Sequence, residues 1–155
     1  EYITAMTGID DLMLAHAPVI DEIFPTFLEF AGTHNESVLV AHNAPFDLSF
    51  LKSAAKELDY EWPKYKTLDT VTIARQLLTK EDVRDCKLGT LAQFFGTKTE
   101  PNHRALDDAK ATTEILHGLF ERLGSMEITT LDQLLEFTKT AAHIQRQNYW
   151  GLSSI

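Results

Sequence analysis

Two short stretches of the chain carry side chains whose types and spacing could do chemistry. In the first, VLVAHNAPFDLSFL (38–51), a short apolar run ends in His-Asn, and the helix that follows carries Asp47 on its first turn. In the second, PNHRALDDAKATTEIL (101–116), His103 lies at the mouth of a helix, with Asp107 and Asp108 one turn in. Acids in a first turn ordinarily serve the helix dipole, at roughly 0.3–1 kcal/mol each, and a histidine there is ordinarily a cap or surface group. The same groups could also gather around a cation. Geometry restricts which of them can meet. Residues five apart on a helix point about 140° from each other, so His103 and Asp108 converge only if His103 lies in the loop before the helix. Asp107 is the partner if both are helical. Pro101-Asn102 marks a turn, which makes the loop position plausible.

The elements that must position these groups can be read from pattern. Val38 to Ala41 is short, β-branched and apolar without alternation, which predicts a buried strand over 37–41. Asn43 suits a helix N-cap and Pro45 a first-turn position, so a helix is expected over 44–58. Its apolar stripe is Phe46, Phe50, Leu51, Ala54 and Leu58. Upstream, Thr7-Gly8-Ile9-Asp10 reads as a turn into a short helix ending before Pro18. Residues 18–31 read as a helix with Ile20, Ile23, Phe24, Phe27, Leu28 and Ala31 on one side, and Pro25 predicts a kink or break in it. Downstream, Lys66-Thr67-Leu68 is a weak second strand, Asp69 caps a helix over 70–79, and 88–95 is a short helix. A long helix is expected over 104–123 with Ala105, Ala109, Thr112, Leu116, Leu119 and Leu123 in the core and Gly124 as its C-cap. Thr129 or Thr130 starts a further helix to about 139, and HIQRQNYWGLSSI reads as linker or tail. Strands alternating with helices indicate an α/β layered fold.

Composition narrows the function classes. A chain of 155 residues, 44% hydrophobic, is enough for one domain with a sizeable core. Its single cysteine, Cys86, excludes an intramolecular disulfide and a cysteine-based zinc site, and fits a reducing cytoplasm. Nothing near Glu1 has the pattern of a signal peptide. With 14 Lys+Arg against 23 Asp+Glu, the formal charge of −9 argues against coating nucleic acid through phosphate contacts. It permits an enzyme that collects carboxylates around cations and touches only a few nucleotides.

Taken together, AHNAPFDLSFL, KLGTLAQFF and HRALDDAKAT, in this order and spacing, closely resemble the DEDDh 3′–5′ exonucleases, which include the proofreading subunit of bacterial DNA polymerase III. YITAMTGIDD also matches, so the resemblance covers residues 1 to about 123. It implies an α/β, ribonuclease H-like exonuclease fold and hydrolysis of DNA from 3′ ends, with single strands preferred. Asp47 and Asp108 would then bind metal, His103 would be the family's catalytic histidine, and Asp107 would fall at a variable position. Asn43 and Phe46 match positions beside the nucleotide, and Thr7 a position lining the pocket for the terminal one. The chemistry suits these residue types: two divalent cations can activate a water and stabilise a leaving oxygen. Hard Mg²⁺ or Mn²⁺ takes carboxylate oxygens, and a histidine titrating near neutrality can accept the water's proton.

The family draws its first two acids from an Asp-x-Glu strand, which this sequence lacks; Glu57-Leu58-Asp59 has the spacing but sits at a helix end. The expected fold is therefore N-terminally incomplete, with an exonuclease domain over 1–124, a C-terminal helix and tail over 125–155, and an unpaired apolar edge at Val38–Val40. The natural protein is expected to be longer, with a two-metal site only in that full-length form. The isolated chain is expected to be inactive. ITTLDQLLEFTKTAA…QRQ resembles, more loosely, the segment that joins such a domain to a UvrC-like nuclease module. Two other readings compete. One is a catalytically silent nuclease-fold module that binds nucleic acid or a protein. The other is a phosphohydrolase with histidines on the metal, although His16, His34, His42, His117 and His143 show no convergent spacing.

Overall fold

Apolar periodicity and strong caps put the elements close to where the pattern predicts them. A computed structural model describes the backbone of residues 2–148 and the side chains of 4–139. In chain order the elements are α1 (Tyr2–Thr7), α2 (Asp11–Leu14), α3 (Ile20–Ala31), β1 (Val38–Ala41), α4 (Ala44–Glu57), β2 (Lys66–Asp69), α5 (Thr70–Leu77), α6 (Leu88–Phe95), α7 (Ala105–Gly124) and α8 (Leu131–Asn148). The strands β1 and β2 are neighbours in a two-stranded sheet, and no further strand joins them among the described residues. No described helix is long and apolar enough to cross a membrane. The chain divides into two compact units, residues 1–40 with 44–67, and residues 41–43 with 68 onward.

The first unit is built on Phe24. Its side chain is buried with Ala54 and Ala55 of α4, and Phe27, Leu28, Leu51, Leu58 and Trp62 pack around them. Tyr60 meets Phe24 edge-on, and the Tyr65 hydroxyl donates to the Gly32 carbonyl at 2.8 Å. Several expectations are revised here. Helix α3 runs on through Pro25, so of the kink or break expected there the break is absent. Ile20 and Ile23, expected to be inward, are exposed. The α4 stripe also splits: Leu51, Ala54 and Leu58 face Phe24, while Phe46 and Phe50 are 61% and 63% exposed and pack edge-on against each other. Periodicity gives a helix's apolar side, but a neighbour is needed to cover its whole length. The strand β1 is likewise half-buried instead of buried, with Val40 exposed.

The second unit is a helical layer. Helix α7 packs against α5 and α6, and α8 packs against α5, where the Gln76 amide donates to the Thr138 carbonyl at 3.0 Å. Ile73, Leu91, Ile115, Leu119 and Leu123 are fully or almost fully buried, each contributing roughly 1.5–3 kcal/mol of apolar burial. Ala105 and Ala109 prove exposed, and Ala111 and Ile115 take the core positions expected there and at Leu116. Helix α5 stops at Leu77, two residues short of expectation. Gly124 is the last helical residue instead of the cap; Ser125 caps α7 in right-handed backbone, and the left-handed residue is Glu127, at φ 61°. Thr129 and Thr130 donate their backbone N–H groups to the Gln133 side chain while the Gln133 N–H reaches the Thr130 hydroxyl, a reciprocal box that starts α8. That helix continues to Asn148, so His143 to Asn148 are helical rather than linker, and 149–155 of the expected tail lie outside the described residues.

Close approach explains one glycine. A Cβ built on Gly118 of α7 would overlap the Phe95 ring of α6, 2.9 Å from Cε1 and 3.0 Å from Cγ, whereas one on Gly89 of α6 would meet nothing within 4 Å. Overpacking costs roughly 1–3 kcal/mol, and glycine-to-alanine in a helix recovers about 1 kcal/mol. Gly89→Ala is expected to raise the urea midpoint and Gly118→Ala to lower it. Equal stabilisation by both changes would mean that the α6–α7 contact is looser than described.

Candidate active site

Of the six predicted residues, Asn43 lies in the turn before α4 and His103 in the loop before α7, while Phe46 and Asp47 belong to α4, Asp108 to α7 and Thr7 to α1. In the second unit, Asn43 adopts left-handed backbone, φ 70°, instead of the extended backbone of an N-cap. Its backbone N–H donates to Asp69 Oδ1 at 2.9 Å. Beside it, the half-buried His42 ring meets the Thr70 hydroxyl at 2.9 Å through Nδ1 and hydrogen-bonds to the Cys86 backbone. Burial pushes the His42 pKa down, partly opposed by the charges of Asp69 and Asp108. Asp108, from the first turn of α7, thus lies within electrostatic range of the His42 ring.

His103 lies outside α7, in left-handed backbone at φ 63°, and Arg104 is the N-cap. This placement meets the geometric condition for His103 and Asp108 to face one region. The residues on either side of His103 tie the loop down. The Asn102 N–H donates to Asp108 Oδ1 at 3.0 Å, its side-chain amide donates to Asp107 Oδ2 at 2.9 Å, and the Arg104 N–H donates to Asn102 Oδ1 at 3.0 Å. Further up the loop, the Lys98 and Thr99 N–H groups donate to the Glu114 carboxylate. Those bonds hold Glu114 below the usual carboxylate range. Asp107 also sits 4.0 Å from the Lys110 ammonium. The two adjacent acids are therefore unlike: Asp107 is engaged with surface partners, while Asp108 is oriented through one oxygen by the backbone beside His103.

Asp47, Phe46 and Thr7 belong to the first unit. Asp47 is exposed in the first turn of α4, and Phe46 precedes it with its ring in solvent. Thr7 is half-buried and accepts the Ile9 N–H at 3.1 Å through its hydroxyl. No group of three or more His, Cys, Asp or Glu side chains placed to hold a metal ion occurs among the described residues.

Two residues beside the site escaped the sequence reading. His42 had no convergent partner in spacing, because Thr70 and Cys86 lie 28 and 44 positions away. Asp69 was legible as a cap, but its bond to Asn43 spans 26 positions. Both make testable contributions. A histidine with a depressed folded-state pKa binds its proton more readily when unfolded, so its stabilisation is full above the unfolded value near 6.5 and is lost as pH falls through the folded one. The urea midpoint is expected to decline from pH 7.5 to 5.5 and to do so less in His42→Gln; parallel curves would rule His42 out as the source. Burial also pushes the Cys86 thiol up to about 11, so it should resist alkylation at pH 8 until urea unfolds the chain. Rapid labelling of the native protein would contradict its burial.

The chain has an α/β exonuclease fold of the ribonuclease H-like type. Exonuclease X in complex with 5′ overhanging duplex DNA shares that fold, with a TM-score of 0.62 at 23% identity, over 88% of this chain and 72% of that one. The RNase_T family model, described as exonuclease, matches residues 1–116, and the chain belongs to that family. It is 42% identical over 144 residues to a Mycobacterium tuberculosis protein named, provisionally, a bifunctional exonuclease/endonuclease; the match covers 93% of this chain and 22% of that protein. It is 45% identical over 133 residues to the PolC-type DNA polymerase III of Caldanaerobacter subterraneus subsp. tengcongensis, covering 86% of this chain and 9% of that protein. The chain thus spans less than a quarter of the length of either relative.

Proposed function

We propose that the protein is a metal-dependent 3′–5′ exonuclease of the DEDDh type, acting on DNA ends in proofreading or repair. The observation that carries this reading is the start of α7. His103 stands in a left-handed loop just outside the helix, and Asp108 one turn inside is bonded to the residue before it. The donor chemistry fits a hard cation, since Asp108 offers an oriented carboxylate and Asp47 an exposed one. Asp47 and Asp108 would hold Mg²⁺ or Mn²⁺. When bound, such a cation polarises a phosphoryl oxygen and makes its bound water more acidic.

The chain's own groups account for the remaining tasks. His103 takes the proton of the attacking water. Its left-handed backbone, flanked by the Asn102 and Arg104 bonds, limits where the ring can swing. Phe46 presents an exposed ring to a terminal base, a stacking contact worth roughly 1–3 kcal/mol. By the family resemblance, Asn43 matches a position beside the nucleotide and Thr7 a position lining the pocket for the terminal one. A chain of net charge −9 suits contact with only a few nucleotides; the family resemblance makes these a 3′ end, single-stranded for preference, and the single Cys86 fits a cytoplasmic setting. The name of the M. tuberculosis relative, which joins an exonuclease to an endonuclease, supports a second nuclease module in the same polypeptide; that this module is UvrC-like and C-terminal rests on the resemblance of residues 128–147 alone.

Metal dependence is the part most easily overturned. Full-length protein is expected to shorten a single-stranded oligonucleotide in Mg²⁺ or Mn²⁺ and to stop when excess chelator is added. Digestion that continues in excess chelator would remove the metal from the mechanism.

A further inference from the structure

We infer that Asp69 is a positioning residue for Asn43, holding the β1–α4 turn in the conformation that presents Asn43 to the substrate. The substrate role of Asn43 rests on the proposed function; the hold on its backbone does not. A helix cap needs one acceptor for an N–H of the first turn, and Asp69 provides it, with Oδ1 accepting the Val71 N–H at 3.0 Å. The same oxygen accepts the Asn43 N–H at 2.9 Å, and Oδ2 accepts the Thr72 hydroxyl at 2.9 Å. One carboxylate thus joins the start of α5 to a turn 26 positions earlier in the chain.

That hold fixes the φ 70° of Asn43. Left-handed backbone is uncommon outside glycine, though asparagine adopts it more readily than most residues, and the Asp69 bond selects it here. The neighbouring bond from His42 to Thr70 runs parallel, so residues 42 and 43 are fastened to residues 70 and 69 in turn. Bonds from a carboxylate to backbone N–H groups are charge-assisted and stronger than neutral ones. Asp69 is the strongest acceptor in this latch.

The test separates capping from positioning. Serine caps a helix about as well as aspartate, but its single short hydroxyl cannot also reach the Asn43 N–H. In full-length Asp69→Ser, hydrogen exchange followed by mass spectrometry is expected to show faster exchange in a peptide over 41–46 while one over 70–77 stays protected. On a single-stranded oligonucleotide, kcat/KM is expected to fall by about 10- to 100-fold, in line with the cost of a misplaced substrate contact. In an Asn43→Ala background the same change is expected to cost no more than about 2-fold, since coupled residues are non-additive. Asp69→Asn retains an acceptor oxygen and is expected to keep most of the protection and activity. Unchanged exchange over 41–46 in Asp69→Ser, or a loss that multiplies in full with Asn43→Ala, would overturn the assignment. So would a loss in Asp69→Asn as large as in Asp69→Ser. If the wild-type protein cleaves no DNA, the nuclease reading fails, and the exchange comparison still decides whether Asp69 holds Asn43.

Discussion

Asp108→Asn in the full-length protein is expected to remove most DNA hydrolysis, and Asp47→Asn to do the same, while Asp107→Asn leaves most of it. A carboxylate that holds a catalytic cation supports several kcal/mol of charge stabilisation in the transition state. By transition-state arithmetic that is roughly 10²- to 10³-fold in rate. The amide keeps the shape of the side chain, and the Asn102 N–H retains an acceptor at position 108, so folding is preserved while the charge is lost. Asp107 differs from its neighbour in its partners. Its carboxylate faces the Asn102 amide and, at 4.0 Å, the Lys110 ammonium, and an exposed pair of that kind contributes about 0–1 kcal/mol. Steady-state rates on one labelled oligonucleotide decide the matter. A dead Asp107→Asn beside an active Asp108→Asn would shift the third motif by one residue.

Residues 1–155 by themselves are expected to bind no tight metal pair and to show little or no nuclease activity. The motif match supplies two acids, Asp47 and Asp108, where the family uses four. Mg²⁺ surrenders its waters reluctantly and is usually held through one or two carboxylates together with substrate phosphates. One weak, substrate-assisted cation is consistent with that donor set, and a well-formed pair is not. Calorimetric titration with Mn²⁺ and an oligonucleotide assay on the purified 155-residue chain test this. Robust cleavage by a verified, uncontaminated sample would mean that acids set aside above complete the site.

What could be read in the sequence was local. Asp69 before Thr70 and Thr129 or Thr130 before α8 each fix an element start within a few residues, and each is visible in the sequence as a start signal. The position of His103 outside α7 was also legible, from Pro101-Asn102 and from the angle between residues five apart. The register of α7 was not. Ile115 and Leu116 are both apolar and adjacent, and packing by α5 and α6 decides which one is buried. The exposure of Phe46 and Phe50 was hidden for the same reason, since a stripe states a period and not a partner. The latch from Asp69 to Asn43, and the left-handed backbone of Asn43, Glu127 and His103, depend on contacts and φ angles that composition does not encode.

Digestion from the 3′ end is read out by end-labelled substrates. Full-length protein with Mg²⁺ should convert a 5′-labelled single-stranded oligonucleotide into a ladder of shortening products. From a 3′-labelled one it should release the label at once as a mononucleotide, and a 3′-phosphorothioate cap should block both. Immediate release of the 5′ label, with a ladder appearing only from the 3′-labelled strand, would contradict the account.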